Sequence, residues 1–577
     1  MFVDPVTRRP AGGYGVVMIG YALLEAGSRR DDPKLVDAGV RAVGTALTKP
    51  PGQRGVFDLL AMSAAYRFGR ARLSRSPSFR RARPRWEEFL RTTGAPALDP
   101  AIAGCIQSPG CFHNHEAVEA DADLDLLATG LTSSVPGAKL ADRAGTRAAA
   151  GQVLAQEVPS ALDAGGVSTG PGLRRGLGIV NDANTYPLAY DALSTAMVGD
   201  TTLALGRSVP PEAIRAFRRS LEAIAAFAGP DGDLAFIGRR QQQSWALAAG
   251  VLAARAGALA FAQDRGAAAR FRALADRELE RLVDVHGAGS PRFAVVPRFR
   301  QSTTGGFRGL DFNNTVVWNG LTAFLLDRAA DVAQRDRGGS SPGASLPGDV
   351  DGSFVERGPG PLFATVRRGD LWFAVNGRPL QPDLRYDVGL VALKRRGAEG
   401  RWRDLIRPRP MTLGRPPDSA GPVLVVGGDT YTPMGRSIRV DRRGALALGV
   451  RFVNAAGGDL GRAATLRYTA IRGGVRVTFG VRAGDRVRFR TFLAAAQARR
   501  TAAGSAMDAA SVASVSPRPS IVRLEPGYAS CCDARLVAAT MTVVARRGGR
   551  VTYTVRDRRP TEIAAAAGVG ALAVVPG

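Results

Sequence analysis

Two hydrophobic periods divide this chain. Up to about residue 335, apolar side chains return every three or four positions, the spacing of a helix with one buried face. The pattern predicts helices near residues 14–27, 34–48, 55–73, 85–92, 114–131, 139–156, 187–198, 211–228, 242–262, 266–286 and 315–333. Local signals agree. Pro210-Pro211-Glu212 and Asn184-Thr185-Tyr186-Pro187 place proline at helix starts, and Gly229-Pro230-Asp231-Gly232 stops a helix. Helices joined by loops of varied length, without a fixed-period repeat, predict stacked hairpins closing into an incomplete α/α toroid rather than a solenoid.

A Gly/Ser/Pro-rich stretch at 335–352 reads as a linker. Beyond it the period becomes two. Residues 362–366, 371–375, 445–452, 475–479 and 551–555 read as strands, separated by turns such as Arg367-Arg368-Gly369-Asp370 and Arg472-Gly473-Gly474. Many short strands with no helix between them predict an antiparallel β-sandwich. The expected organisation is a toroid over 1–334, a linker over 335–352 and a sandwich over 353–577. Residues 564–577 are small and apolar, and too short a run to span a bilayer.

One stretch of the helical half stands out. Residues 112–127 hold His113, Asn114 and His115, two of the chain's three histidines, ahead of the stripe Ala117, Ala120, Leu124, Leu127 and Leu131. A loop therefore delivers two histidines and an amide to the first turn of a core helix. The free N–H groups and positive dipole end of that turn attract anions. Asp121, Asp123 and Asp125 alternate like a calcium loop, but Leu126 replaces the required glycine and Thr132 the bidentate glutamate, so a solvated helix face is expected there. Other unusual side chains also collect at helix starts: Tyr186 with Tyr190 a turn later, Arg239-Arg240-Gln241-Gln242-Gln243-Ser244-Trp245, and Asp311-Phe312-Asn313-Asn314-Thr315 leading to Trp318. In a toroid such starts surround one cleft.

Charge narrows the ligand. The net value over 577 residues is +27, carried almost wholly by arginine; the lysines are Lys34, Lys49, Lys139 and Lys394. Arginine-rich codon usage gives the same excess, and an anionic partner is the functional alternative. The arginines are scattered, without a basic block or a nucleic-acid motif, so no nucleic acid is expected and a polyanionic glycan suits them better. With 45% hydrophobic and 22% charged residues the composition is that of a globular protein, with no membrane span. Cys105 and Cys111 enclose a short loop, and Cys531 adjoins Cys532; neither pair has zinc spacing. A Cys105–Cys111 disulfide and two free thiols are both open. Residues 14–26 read as a first structural helix rather than a signal core, leaving open a start, with any signal, upstream of Met1. A secreted or cell-envelope location is expected, with the cytoplasm as the alternative.

The toroid-then-sandwich order, with Asn114-His115 at a helix start and Tyr186 and Tyr190 downstream, resembles the heparinase II/III-like polysaccharide lyases and the related oligo-alginate lyases. That resemblance implies β-elimination at a uronic acid. Asn114 would neutralise the sugar carboxylate with His115 assisting, and Tyr186 or Tyr190 would act as acid and base. A phenol titrating ordinarily near about 10 needs cationic neighbours such as Arg239 and Arg240 to stabilise its phenolate. His113, Arg239, Arg240, Gln243, Trp245, His286, Asn314 and Trp318 would bind substrate. The sandwich has no histidine and the toroid offers only His286 as a late one, so no metal and no cofactor are expected.

Two alternatives stand beside this reading. A glycoside hydrolase on the same toroid needs two carboxylates about 5–9.5 Å apart, with Glu116, Glu119 and Asp233 as candidates. A non-catalytic glycan-binding or cell-envelope protein would keep the fold without turnover. Residue by residue, Asn114 also reads as an N-cap, Tyr186 and Tyr190 as packing tyrosines, and Trp245 and Trp318 as core.

Overall fold

The computed structural model describes residues 13–49, 55–93, 113–157, 167–168, 188–234, 236, 242–287, 295, 315–338, 343–356, 362–377, 388–406, 411–412, 422–441, 444–454, 456–501, 503–530 and 533–558. The chain divides into two compact units, Met1–Pro361 and Leu362–Gly577.

The first unit carries α1 (Tyr14–Arg30), α2 (Pro33–Val43), α3 (Val56–Arg72), α4 (Pro77–Thr92), α5 (His113–Ala128), α6 (Arg143–Gln152), α7 (Leu188–Leu205), α8 (Pro211–Phe227), α9 (Ser244–Ala260), α10 (Arg265–His286) and α11 (Thr315–Arg335). Odd and even helices play different parts. The odd ones pack in sequence, α1 on α3, α3 on α5, α5 on α7, α7 on α9, α9 on α11, and α11 back on α1, so they close a ring. Each even helix packs against the odd helix before it.

The sequence explains the division. Helix α9 is apolar apart from Ser244 and Arg255, with buried residues on every side, as a helix enclosed by neighbours must be. Helix α8 is amphipathic and buries one face that includes Ala213, Phe217, Leu221 and Ile224. Asp32, Asp142 and Asp264 cap α2, α6 and α10 by accepting backbone N–H bonds, and proline opens α2, α4 and α8. The turn after α8 is closed by Gly232 at φ 81°.

Ring closure depends on glycine. A Cβ on Gly15 of α1 would lie 2.1 Å from the Val317 Cα of α11, and one on Gly320 would lie 2.2 Å from the Gly15 carbonyl oxygen. Here the two backbones touch. That contact also sets direction, because it joins the first turns of α1 and α11.

Two expectations about this unit are corrected. The helix expected from residue 85 begins at Pro77 and holds Pro84 inside it. Asp121, Asp123 and Asp125 do not form a solvated face: all three are buried, because α5 is an inner helix with neighbours on every side.

Short strands β1 (Val167–Ser168) and β2 (Gly352–Glu356) pair antiparallel in the same unit. A single 3-10 turn, Pro347–Asp349, precedes β2, and Asp349 pairs with Arg277 of α10 at 2.7 Å.

The second unit is all antiparallel β. Strands β3 (Phe363–Arg368), β4 (Leu371–Asn376), β5 (Gly389–Arg396) and β6 (Trp402–Asp404) form one meander. The rest are β7 (Met411–Thr412), β8 (Val423–Val426), β9 (Asp429–Val440), β10 (Leu446–Val453), β11 (Asp459–Ile471), β12 (Gly474–Val481), β13 (Arg486–Ala494), β14 (Arg499–Arg500), β15 (Ala506–Met507), β16 (Ser511–Ser516), β17 (Ile521–Ser530), β18 (Asp533–Val544) and β19 (Gly549–Asp557). They run in the order β14-β15-β16-β19-β12-β11-β10-β9-β8-β13-β18-β17-β7. The long β9 pairs with β8 at its start and with β10 along the remainder, so the ladder folds over there into two layers. Phe489 of β13 stacks on Tyr553 of β19 at 5.0 Å and meets Phe479 of β12 at 5.9 Å, which marks the core between the layers. A helical toroid followed by an antiparallel sandwich is the architecture expected from the two periods.

Candidate active site

The inner helices begin at one rim of the ring. Aromatic contacts trace it. Tyr14 of α1 stacks on Phe57 of α3 at 4.5 Å, and Phe57 meets the His115 ring of α5 edge-on at 5.6 Å. Tyr190 of α7 meets Trp245 of α9 at 5.1 Å, and Trp245 lies 6.0 Å from Trp318 of α11. With the Gly15–Val317 contact closing the circle, all six inner helices point their first turns the same way. Each turn carries a positive dipole end of about half a charge, so the rim is predisposed to an anion.

Asn114 and Tyr190 stand in the first turns of neighbouring inner helices. Both are buried, while His115 between them in the chain is exposed. Glu116, in the same turn, is buried. Gln243 stands at the N-cap position of α9, is fully buried, and its side-chain oxygen accepts the indole N–H of Trp245, which is also fully buried. Ser244 is held from two sides: its N–H donates to the Val295 carbonyl at 2.9 Å and its hydroxyl lies 2.8 Å from Thr322 Oγ1 of α11. Trp318 is buried beside them, and His286 ends α10 as a buried side chain. His113 opens α5. Tyr186, Arg239, Arg240 and Asn314, with Cys105, Cys111, Cys531 and Cys532, lie outside the described residues.

Two of the three carboxylates considered for hydrolysis are held in ion pairs, while Glu116 is buried in the Asn114 turn. Glu119 pairs with Lys139 at 2.8 Å, and Asp233 faces Arg281 at 3.5 Å. Among the described residues no cluster of three or more His, Cys, Asp or Glu side chains is spaced to hold a metal ion.

Gln242 was not singled out by its sequence. Its backbone lies at φ 62°, an unusual conformation for a residue with a Cβ, and its side chain is buried with no hydrogen-bond partner for Nε2 among the described residues. Strained backbone of this kind concentrates at functional sites. Three consecutive glutamines carry no signal that would separate the strained one from the others.

The opposite rim is a different chemical environment. Here Arg328 of α11 is largely enclosed by Asp121 and Asp125 of α5 and Asp200 of α7, and Arg67 of α3 also pairs with Asp125. Burial opposes the charge on Arg328, and the three aspartates more than offset it. Burial pushes Asp121 and Asp200 above the ordinary carboxylate range against the pull of Arg328. Lys139 binds Glu119 and Asp123, and burial lifts Asp123 to about 6. A cavity of about 1060 Å³ opens at this end, lined by Arg67, Arg70, Arg143, Arg147, Arg328 and Arg335 among others. Most of those guanidiniums are engaged: Arg70 donates to the Thr129 carbonyl at 2.8 Å, Arg143 to Leu127 and Leu131, and Arg147 to Leu205. They satisfy carbonyls at the ends of α5 and α7 that have no partner within the helix.

No protein-family model matches the chain, and no curated protein sequence does. Among solved structures, the chain is similar to a heparan sulfate lyase from Pedobacter heparinus, at 11% identity over 96% of this chain and 78% of that one, with a TM-score of 0.46. A heparinase III gives 10% identity over 92% and 76%, with a TM-score of 0.47. A chondroitin AC lyase from Streptomyces coelicolor gives 12% over 99% and 79%, with a TM-score of 0.43. These likenesses concern the fold.

Proposed function

We propose that the helical unit is a polysaccharide lyase that cleaves a uronic-acid-containing glycan by β-elimination at the rim where the inner helices begin. One observation carries the reading: Asn114 and Tyr190 occupy the first turns of adjacent inner helices, on a rim formed by six aligned helix starts. A sugar carboxylate at that rim would meet the positive dipole ends and the Asn114 amide, with the exposed His115 beside it. Neutralising the carboxylate makes the neighbouring C–H acidic. A tyrosine, Tyr190 or Tyr186, then removes that proton and returns one to the departing glycosidic oxygen. The buried Gln243, Trp245 and Trp318 hold the rim in shape, and Arg239, Arg240, Asn314, His113 and His286 are candidates for further contacts. The ion pairs of Glu119 and Asp233 speak against the hydrolase alternative, which needs two free carboxylates and is left with Glu116 alone of its three candidates.

The test is the ultraviolet absorbance of the conjugated double bond left by β-elimination, followed while the protein meets a panel of uronate polymers. The expected result is a rise that is lost in Asn114→Ala and in Tyr190→Phe or Tyr186→Phe; loss of one general acid–base group costs about 100- to 10,000-fold. New reducing ends without that absorbance would instead establish hydrolysis. Neither signal from folded protein would favour a binding protein.

A further inference from the structure

The second unit carries a surface that the lyase reading does not use. Strands β16, β19, β12, β11, β10 and β9 lie side by side, and their register fixes which residues share a face. Leu446, Leu448, Leu466, Tyr468, Val477, Phe479 and Tyr553 point into the core. The opposite face shows a different composition. One row across it reads Ser516, Thr552, Thr478, Arg467, Ala447 and Arg439. The next reads Ser514, Thr554, Arg476 and Thr469. Arg550 stands opposite Gly480 at the far end of the β12–β19 pair.

This face is open to solvent: Arg439, Arg467, Arg476, Arg550, Thr465 and Ser516 are exposed. Hydroxyl residues and the small Ala447, Gly449 and Gly480 stand between the arginines. Asp441 reaches Arg467 from the end of β9, while Arg439, Arg476 and Arg550 make no ion pair among the described residues. Strands stand about 4.8 Å apart, so Arg439 and Arg476, three strands from each other, are about 14 Å apart across the sheet.

We propose that this outer face is a second binding surface, for an extended acidic glycan chain. Charge complementarity chooses the occupant. Unpaired guanidiniums take carboxylate or sulfate groups, and the threonines and serines between them can donate to and accept from sugar hydroxyls. A protein partner would need buried aromatic or aliphatic anchors, and these rows offer none. Single-stranded nucleic acid would use aromatic stacking platforms, also missing from them. The inference shares with the lyase reading only the acidic class of its ligand.

The test is the binding of heparin, as a densely charged uronate chain, to the full-length protein at a series of salt concentrations, with neutral dextran and a short DNA duplex alongside. Arg439→Ser, Arg476→Ser and Arg550→Ser are combined in one variant. Arg215→Gln, Arg265→Gln and Arg337→Gln, exposed arginines of the helical unit, make a control with the same loss of charge. The expected result is heparin binding weakened about tenfold or more, with a shallower salt dependence, in the sheet variant alone. Equal loss in both variants, or none in either, overturns the surface. Duplex DNA bound as tightly as heparin, and weakened by the same variant, overturns the glycan assignment. Because binding is read without turnover, a protein that fails as a lyase still answers this question. If both readings hold, the sheet variant keeps its rate on short uronate oligosaccharides and loses rate on long chains.

Discussion

Replacing Arg328 with methionine tests whether the far rim of the ring is held by one ion-pair network. Methionine preserves much of the apolar stem but leaves Asp121 and Asp200 without their cation, while Asp125 retains Arg67. Breaking a buried pair by removing one partner costs about 3–5 kcal/mol. The loss has a definite pH dependence. Burial already raises the folded-state pKa of Asp121 and of Asp200, and Arg328 pulls both down. Without it they rise further, so the folded variant binds protons that the unfolded chain, titrating near about 4, has released. Stability of the variant therefore falls as pH rises from about 4 through the folded values. The assay is amide hydrogen exchange in α5, α7 and α11, which reports the opening of this unit separately from the sandwich. Protection should drop by about 3 kcal/mol or more near pH 8, and by less near pH 5. A loss below about 1 kcal/mol at both pH values, or one larger at the acid end, would refute the network.

Two further substitutions probe the ring. Glu278 of α10 is fully buried against Gly250, neither carboxyl oxygen has a hydrogen-bond partner among the described residues, and burial raises its pKa well above the ordinary range. Glu278→Met should stabilise the helical unit by about 1–3 kcal/mol, and the gain should widen as pH climbs above about 4, where the unfolded glutamate loses its proton; a gain that shrinks with rising pH in chemical denaturation would contradict this. Gly15→Ala must push α1 from α11, so despite alanine's better helix propensity of about 1 kcal/mol it should lower the thermal midpoint of the helical unit, and an unchanged or higher midpoint would show that the ring closes without that contact.

The fold was largely legible because each period has a direct physical cause. A helix enclosed in a ring and a strand in a sandwich bury different residue spacings, and Pro211 and the Gly229–Gly232 turn mark ends that the structure keeps. The start of α4 was missed because a proline such as Pro84 is expected to break a helix; here the helix runs on through it. The reading of Asp121, Asp123 and Asp125 failed for a deeper reason. A stripe of Ala117, Ala120, Leu124 and Leu127 identifies one buried face, but it cannot show that the remaining faces are buried as well. Their partners, Arg328 and Lys139, come from other elements, and no local spacing announces them. The gathering of Asn114, Tyr190 and Trp245 at helix starts could be read from capping logic. The strain at Gln242 could not, because positive φ in a glutamine is imposed by its surroundings.

The arginine excess, read as one property in the sequence, separates into three. At the far rim, Arg70, Arg143 and Arg147 satisfy carbonyls at helix ends. Inside the ring Arg328 neutralises buried aspartates, and Arg462 of β11 holds Asp485 in the same manner. These guanidiniums are committed to the fold, and an external anion would have to displace a bond already made. On the outer sheet face Arg439, Arg476 and Arg550 make no such bond among the described residues. Net charge alone therefore overstates the cationic surface available to a polyanion. At physiological ionic strength, charges farther apart than about 8 Å are largely screened from each other, so scattered arginines do not act as one field. Arg439, Arg476 and Arg550 stand on one face, where a single extended chain can meet them in turn, and the Asp441 carboxylate that reaches this face is held by Arg467.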